Sequence, residues 1–189
     1  MTRSCSIVPQ YPLFRSPRNN VIVGTLWAPK PRCVRSVDWP ALIRRWVRDY
    51  SVTDSNTLAS YVEPRGMSAL LPKLGTLERY AVTGSLAGPR IAPVRLAMLY
   101  ADDAAAAATT LDLVATEAGA NVWILEPFDE VVFERTKPAW PTGYEKPVTA
   151  ASPAQVAADL LTSPGRGPTE GEALIESMKE AESDWRRRP

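Results

Sequence analysis

The sequence predicts an α/β (α+β) fold, a mixed sheet of about four to five strands flanked by helices, with an irregular N-terminal arm. Three observations lead there. Short β-rich runs such as Val94–Tyr100 and Asn121–Leu125 alternate with stretches of helical apolar spacing such as Asp38–Tyr50. Apolar residues form 45% and charged residues 23% of the 189, a globular balance with enough apolar surface for a sizeable core. Residues 1–37 share neither pattern: Pro9, Pro12, Pro17, Pro29 and Pro31 punctuate them, acids are absent, and only Val21–Trp27 has strand-like content.

The elements follow in order. Asp38-Trp39-Pro40 reads as an N-cap with proline in the first turn. Trp39, Leu42, Ile43, Trp46, Val47 and Tyr50 then recur at helical spacing, with Arg44, Arg45 and Arg48 on the other side. Residues 51–60 are polar and loop-like. Arg65–Leu74 predicts a short helix interrupted by Pro72. Arg79–Thr83 and Val94–Tyr100 read as strands, and Asp102-Asp103 before the alanine run 104–108 as a turn entering a helix. Asn121–Leu125 and Glu130–Glu134 read as two further strands, and residues 136–149 as a proline-rich surface loop. Ser152-Pro153 caps a helix over Ala154–Leu161. Thr169 and Glu172 form a capping box for the last helix, on which Leu174, Met178, Ala181 and Trp185 line one face.

Composition excludes several kinds of chemistry. There is no histidine, which removes Ser-His and Cys-His pairs, His-ligated metals and the usual neutral-pH general base. Cys5 and Cys33 alone make neither a zinc set nor a disulfide framework. No metal or cofactor is expected. No run approaches the length of a membrane span, and Met1–Gln10 lacks the apolar core of a secretion signal, so the expected location is the cytoplasm. Net charge is +1, yet it is unevenly spread: residues 1–50 hold nine Arg/Lys against two acids (+7), and residues 51–189 thirteen against nineteen (−6). Such asymmetry marks either a nucleic-acid-facing end or an Arg-rich tail with no partner.

Four constellations are candidates for function. Arg35, Arg44, Arg45 and Arg48 could contact phosphates of a nucleic acid, although a solvated helix face is the commoner reason for such a pattern. Thr83-Gly84-Ser85 after a strand resembles the Gly-Ser turn with which nucleotidyltransferases hold nucleotide phosphates. The following strand carries no carboxylate, and Asp102 and Asp103 are adjacent, so on a strand they would point to opposite faces. Gly84 and Ser85, and Arg166 in the Ser163–Pro168 turn, remain candidate anion contacts; a plain turn is the bland reading of each. Glu126, Asp129, Glu130 and Glu134 form an acidic cluster in which Glu130 and Glu134 would share a strand face, for a metal or simply for solvent. Trp140, in the proline-rich loop, is the tryptophan expected at the surface.

Asp38-Trp39, Arg44-Arg45-Trp46, Asp49-Tyr50-Ser51 and Tyr80-Ala81-Val82-Thr83-Gly84-Ser85-Leu86-Ala87 carry a resemblance. It continues through Gly119-Ala120-Asn121-Val122, Leu125-Glu126-Pro127, Ala158-Asp159-Leu160-Leu161 and Gly165-Arg166. Together they resemble regulators of the AbiEi antitoxin family from bacterial type IV toxin–antitoxin systems, of the actinobacterial type, over nearly four-fifths of the chain. The resemblance implies residues 1–37 as an arm and 38–189 as an AbiEi-like C-terminal α/β domain. It implies a non-catalytic transcriptional regulator whose partners are operator DNA or a nucleotidyltransferase-like toxin system. The family's winged helix needs about three helices and a hairpin, and residues 1–37 show no pattern for them. Two alternatives come from the residues: a divergent or degenerate nucleotidyltransferase-like enzyme using Gly84, Ser85, Asp102 and Asp103, and a nucleic-acid binder using a basic arm.

Overall fold

The computed structural model describes residues 37–88 and 93–182, which lie in one compact unit, Ser36–Pro189. Asp38 opens α1 (Trp39–Trp46) by accepting from the Ala41 N–H at 3.0 Å, with Pro40 in the first turn. The helix is shorter than its apolar spacing predicts: it ends at Trp46, and a turn carries the chain to Tyr50. The strands are β1 (Thr57–Val62), β2 (Ala81–Thr83), β3 (Ala97–Tyr100), β4 (Val114–Ala115), β5 (Val122–Glu126), β6 (Lys137–Ala139) and β7 (Val148–Ala150). They form one mixed sheet in the order β4-β1-β5-β3-β2-β7-β6. The other helices are α2 (Met67–Lys73), α3 (Ala104–Thr110), α4 (Pro153–Thr162) and α5 (Gly167–Glu180).

A mixed sheet with flanking helices is therefore present, and among the described residues it has seven strands, more than predicted. β3 and β5 lie parallel, joined by a crossover through α3, while β2 runs antiparallel to β3 and parallel to β7. The additional strands are those with the weakest pattern. β1 is Thr-Leu-Ala-Ser-Tyr-Val, half polar, yet five of its residues pair with β5. β6 and β7 make an antiparallel hairpin inside the segment predicted as loop. Conversely, Glu130–Phe133 is a 3₁₀ turn and no strand: Asp129 accepts the Val131 N–H at 2.9 Å and winds the chain tightly there. The α5 boundary also differs. That helix begins at Gly167 with Pro168 in its first turn, so Thr169 and Glu172 already lie inside it and form no capping box.

Period-two alternation divides the core. Val82, Leu99, Val122 and Ile124 point to the face covered by Leu70, Leu71 and Leu74 around α2 and by Ala107 and Leu111 around α3. Ala81, Met98, Tyr100 and Leu125 point to the other face, where Val156 and Leu160 of α4 cover them. A third cluster lies on the outer side of α4: Ala157 packs with Trp39 and Ile43 of α1 and Ile175 and Met178 of α5. α4 is thus enclosed on all sides. α5 reaches it because Gly167 and Gly171 bear no Cβ; at Gly167 one would sit 2.6 Å from Ser163 Cβ and 2.7 Å from the Leu160 carbonyl oxygen. Among the described residues no helix is long and apolar enough to cross a membrane. Val21–Trp27, both cysteines and Trp185 lie outside the described residues.

Candidate functional site

β2 leaves the sheet through Thr83-Gly84-Ser85, and Gly84–Leu86 form a 3₁₀ turn. Gly84 has φ +62°, and a Cβ there would lie 2.9 Å from Met98 Sδ, so both conformation and space require glycine. The Ser85 hydroxyl donates to Glu170 Oε2 at 2.5 Å, and Arg166 Nε holds Oε1 of the same carboxylate at 2.5 Å. Arg166 Nη2 also donates to the Pro93 carbonyl at 2.8 Å. The fold therefore brings together Gly84, Ser85 and Arg166, which the sequence nominated separately. What unites them is a buried internal carboxylate, Glu170, 2% exposed.

Above this cluster runs a groove of about 670 Å³ lined by Ser85, Arg95, Met98, Leu160, Ser163 and Arg166, among others. Among the described residues no acid lines it. Arg95 is exposed there and has no hydrogen-bond or ion-pair partner among the described residues.

Directly beneath, on α4, is a polar cluster that sequence reasoning missed. Asp159 is 0% exposed and accepts four donors: the Tyr50 hydroxyl at 2.6 Å and Gln155 Nε2 at 2.9 Å on Oδ1, and the Tyr100 hydroxyl at 2.8 Å and the Thr83 hydroxyl at 2.5 Å on Oδ2. Asn56 donates to the Tyr50 hydroxyl at 3.3 Å and to the Val52 carbonyl at 2.8 Å. Among the described residues no buried side-chain polar atom lacks a partner. Burial pushes the Asp159 carboxyl above its ordinary range, against the opposing pull of the four donors. Burial, and then the neighbouring Asp159 charge, push both tyrosine hydroxyls far up, so they stay protonated donors. A lone acid in the apolar run Val156–Leu161 was the available signal.

The strand-end acids have separate duties. Asp102 is clasped by two nitrogens of Arg79, Nε at 2.8 Å and Nη2, and this holds its carboxyl below the usual range. Arg79 also reaches Glu130 at 3.3 Å and lies 4.4 Å from the centre of the Phe133 ring. Asp103 caps α3 through the Ala106 N–H at 2.8 Å, Asp129 caps the 3₁₀ turn, and Glu126 accepts from the Ala104 N–H at 2.9 Å. Among the described residues no group of three or more acids or cysteines is placed to hold a metal ion.

Of the candidate nucleic-acid contacts, Arg44 pairs with Glu172 through Nη2 at 2.6 Å and Nε at 3.1 Å, and Arg45 with Asp49 at 2.7 Å. Arg48, in the turn after α1, is exposed and has no partner among the described residues. Arg35 lies outside them. Trp140 is half exposed.

Comparisons with protein-family models, with curated proteins and with solved structures gave no match.

Proposed function

We propose that this chain is a non-catalytic regulatory module of the AbiEi antitoxin type, a cytoplasmic bacterial domain that acts by binding a partner. The partner is operator DNA or a component of a nucleotidyltransferase-like toxin system. The observation that carries the reading is the internal use of the strand-end carboxylates. Asp102 is neutralised by Arg79, and Asp103, Asp129 and Glu126 are bound to backbone N–H groups. A nucleotidyltransferase needs two carboxylates converging on metal ions that clamp the attacking and leaving oxygens. Asp102 and Asp103 face different partners instead, which favours the regulator over the transferase. For DNA, Arg48 is the candidate with a guanidinium to spare, and Arg44 and Arg45 would first have to leave Glu172 and Asp49.

The test is fluorescence anisotropy of the purified chain on its own upstream DNA across a salt series, together with co-purification of tagged chain and its operon's proteins. Sequence-preferring binding whose affinity falls with salt, or capture of one operon protein, is expected. Failure of both sinks the proposal. Metal-dependent nucleotide transfer by the chain, abolished in Asp102→Ala and Asp103→Ala variants, would put the transferase in its place.

A further inference from the structure

We propose that the groove between the β2 exit and the α4–α5 turn binds a small organic anion, a carboxylate or phosphate monoester with an apolar body, with Arg95 and Arg166 as its charge contacts. The observation is one of charge against background. Residues 51–189 carry a net −6, yet among the described residues this groove is lined by two arginines and no acid. One of the two has no partner among the described residues.

The second is held in place. Arg166 is ion-paired with Glu170 through Nε and gives one N–H to the Pro93 carbonyl. A guanidinium has five N–H donors in a fixed fork, so donors remain for a ligand while its orientation is already set. Glu170 is itself fixed by Ser85, so Ser85 and Glu170 are positioning residues for Arg166. This gives the Gly84-Ser85 turn an indirect part in binding. Arg95, exposed and lining the same groove, supplies the second charge. Bidentate arginine contacts match the planar oxygens of carboxylates and phosphates.

The remaining walls fix the class of ligand further. Pro93, Leu96, Met98, Leu160 and Pro164 are apolar and line the same groove as the arginines. Pro93 and Pro164 are exposed and Leu96 is half-buried, so an inorganic ion would leave these three wetted, whereas an aryl or acyl body would cover them. The inference does not depend on the regulator reading, since an effector site suits a regulator and a substrate site an enzyme.

The experiment is an NMR titration of the ¹⁵N-labelled full chain with phenyl phosphate, benzoate and inorganic phosphate, following the Ser85, Arg95, Gly165 and Gly167 amides. Saturable shifts confined to the groove are expected, with phenyl phosphate binding about tenfold tighter than inorganic phosphate. Arg95→Ala should weaken phenyl phosphate about tenfold without altering the fold, because that side chain has no internal partner. Arg166→Lys keeps the charge but not the fork and should weaken it further. Lys146→Ala, exposed and outside the groove, should leave phenyl phosphate binding unchanged. No saturable shift with any probe at about 20 mM overturns the proposal, as does unchanged affinity in Arg95→Ala. Equal affinity for phenyl and inorganic phosphate overturns the apolar part of the assignment.

Discussion

Removing the Asp159 carboxylate tests whether the buried cluster holds α4 to the sheet. In Asp159→Ala four donors lose their acceptor, but they are not equally stranded. The Tyr50 and Tyr100 hydroxyls lie 3.1 Å apart and can bond each other, and Gln155 Nε2 lies 3.1 and 3.2 Å from them. The Thr83 hydroxyl and one tyrosine proton are left without a partner. At about 1–3 kcal/mol per orphaned buried donor, the loss is about 4 kcal/mol. A chain of this size shifts by about 2–4 °C per kcal/mol, so Tm should fall by about 10 °C. Asp159→Asn should behave differently. Its oxygen can keep Tyr50 and Gln155, while its amide donates to the Thr83 and Tyr100 hydroxyls, which can turn to accept. It should cost about 1 kcal/mol at most and relieve the burial of a charge. The two variants must also separate by pH. A carboxyl raised by burial binds its proton more readily in the folded chain than in the unfolded one, whose value is near 3.8. Stability from that proton is full below 3.8 and is lost as pH rises through the folded value, by up to about 1.4 kcal/mol per pH unit. Asp159→Asn should lack this slope. Chemical denaturation of the three proteins at a series of pH values reads both quantities. An alanine cost below about 1 kcal/mol would mean the cluster is not formed, and a wild type that loses stability relative to Asn on acidification would mean the donors outweigh burial.

Three further outcomes follow from close contacts. Gly84→Ala places a Cβ 2.9 Å from Met98 Sδ at φ +62° and should cost about 2 kcal/mol by thermal denaturation; adding Met98→Ala should recover only the contact, not the backbone cost. Gly167→Ala should cost about 1–3 kcal/mol because backbone and not a side-chain tip meets the new Cβ, whereas Gly75→Ala, with open space around it, should be neutral or slightly stabilising. Lys73→Ala leaves Glu63, 1% exposed, with only Arg65, its backbone N–H at 3.2 Å and Nε at 3.4 Å on one oxygen, and should cost about 3 kcal/mol. The Lys73 contact holds the Glu63 carboxyl below its ordinary value, so its contribution is present above that value and is lost as pH falls through the folded one. In Lys73→Ala that part of the acid-side loss should largely vanish.

The sequence disclosed strong local patterns and hid weak ones. Helix starts marked by Asp38-Trp39-Pro40 and Ser152-Pro153 were legible because capping is a local side-chain reaction. β2, β3 and β5 were legible because central strands are uniformly apolar. β1, β4, β6 and β7 were not, since short or half-polar strands owe their existence to a paired neighbour and not to their own propensity. The same limit applies to the candidate site. Gly84, Ser85 and Arg166 stood out as single turn signals, but Glu170, which joins them, carries no pattern of its own beyond being an acid in the first turn of α5. Arg95 was hidden inside a run read wholly as strand, although β3 starts only at Ala97.

The Thr83-Gly84-Ser85 turn shows why a short motif is best read from what its atoms hold. In sequence it resembles a phosphate-binding turn. In the fold its two hydroxyls are already donors to carboxylates from two different helices, Thr83 to Asp159 on α4 and Ser85 to Glu170 on α5. Gly84 lets the chain reverse against Met98 between them. One exit from a central strand thus ties both outer helices to the sheet, and each tie is a hydrogen bond to a carboxylate 0% or 2% exposed. Such bonds are worth more than neutral ones and are costly to leave unmade. A ligand that engaged Ser85 directly would have to displace Glu170 and leave a buried charge held by Arg166 alone. A ligand that engages Arg166 and Arg95 from the groove needs no such exchange, so the chemistry of the turn is structural and the chemistry open to a ligand belongs to the arginines.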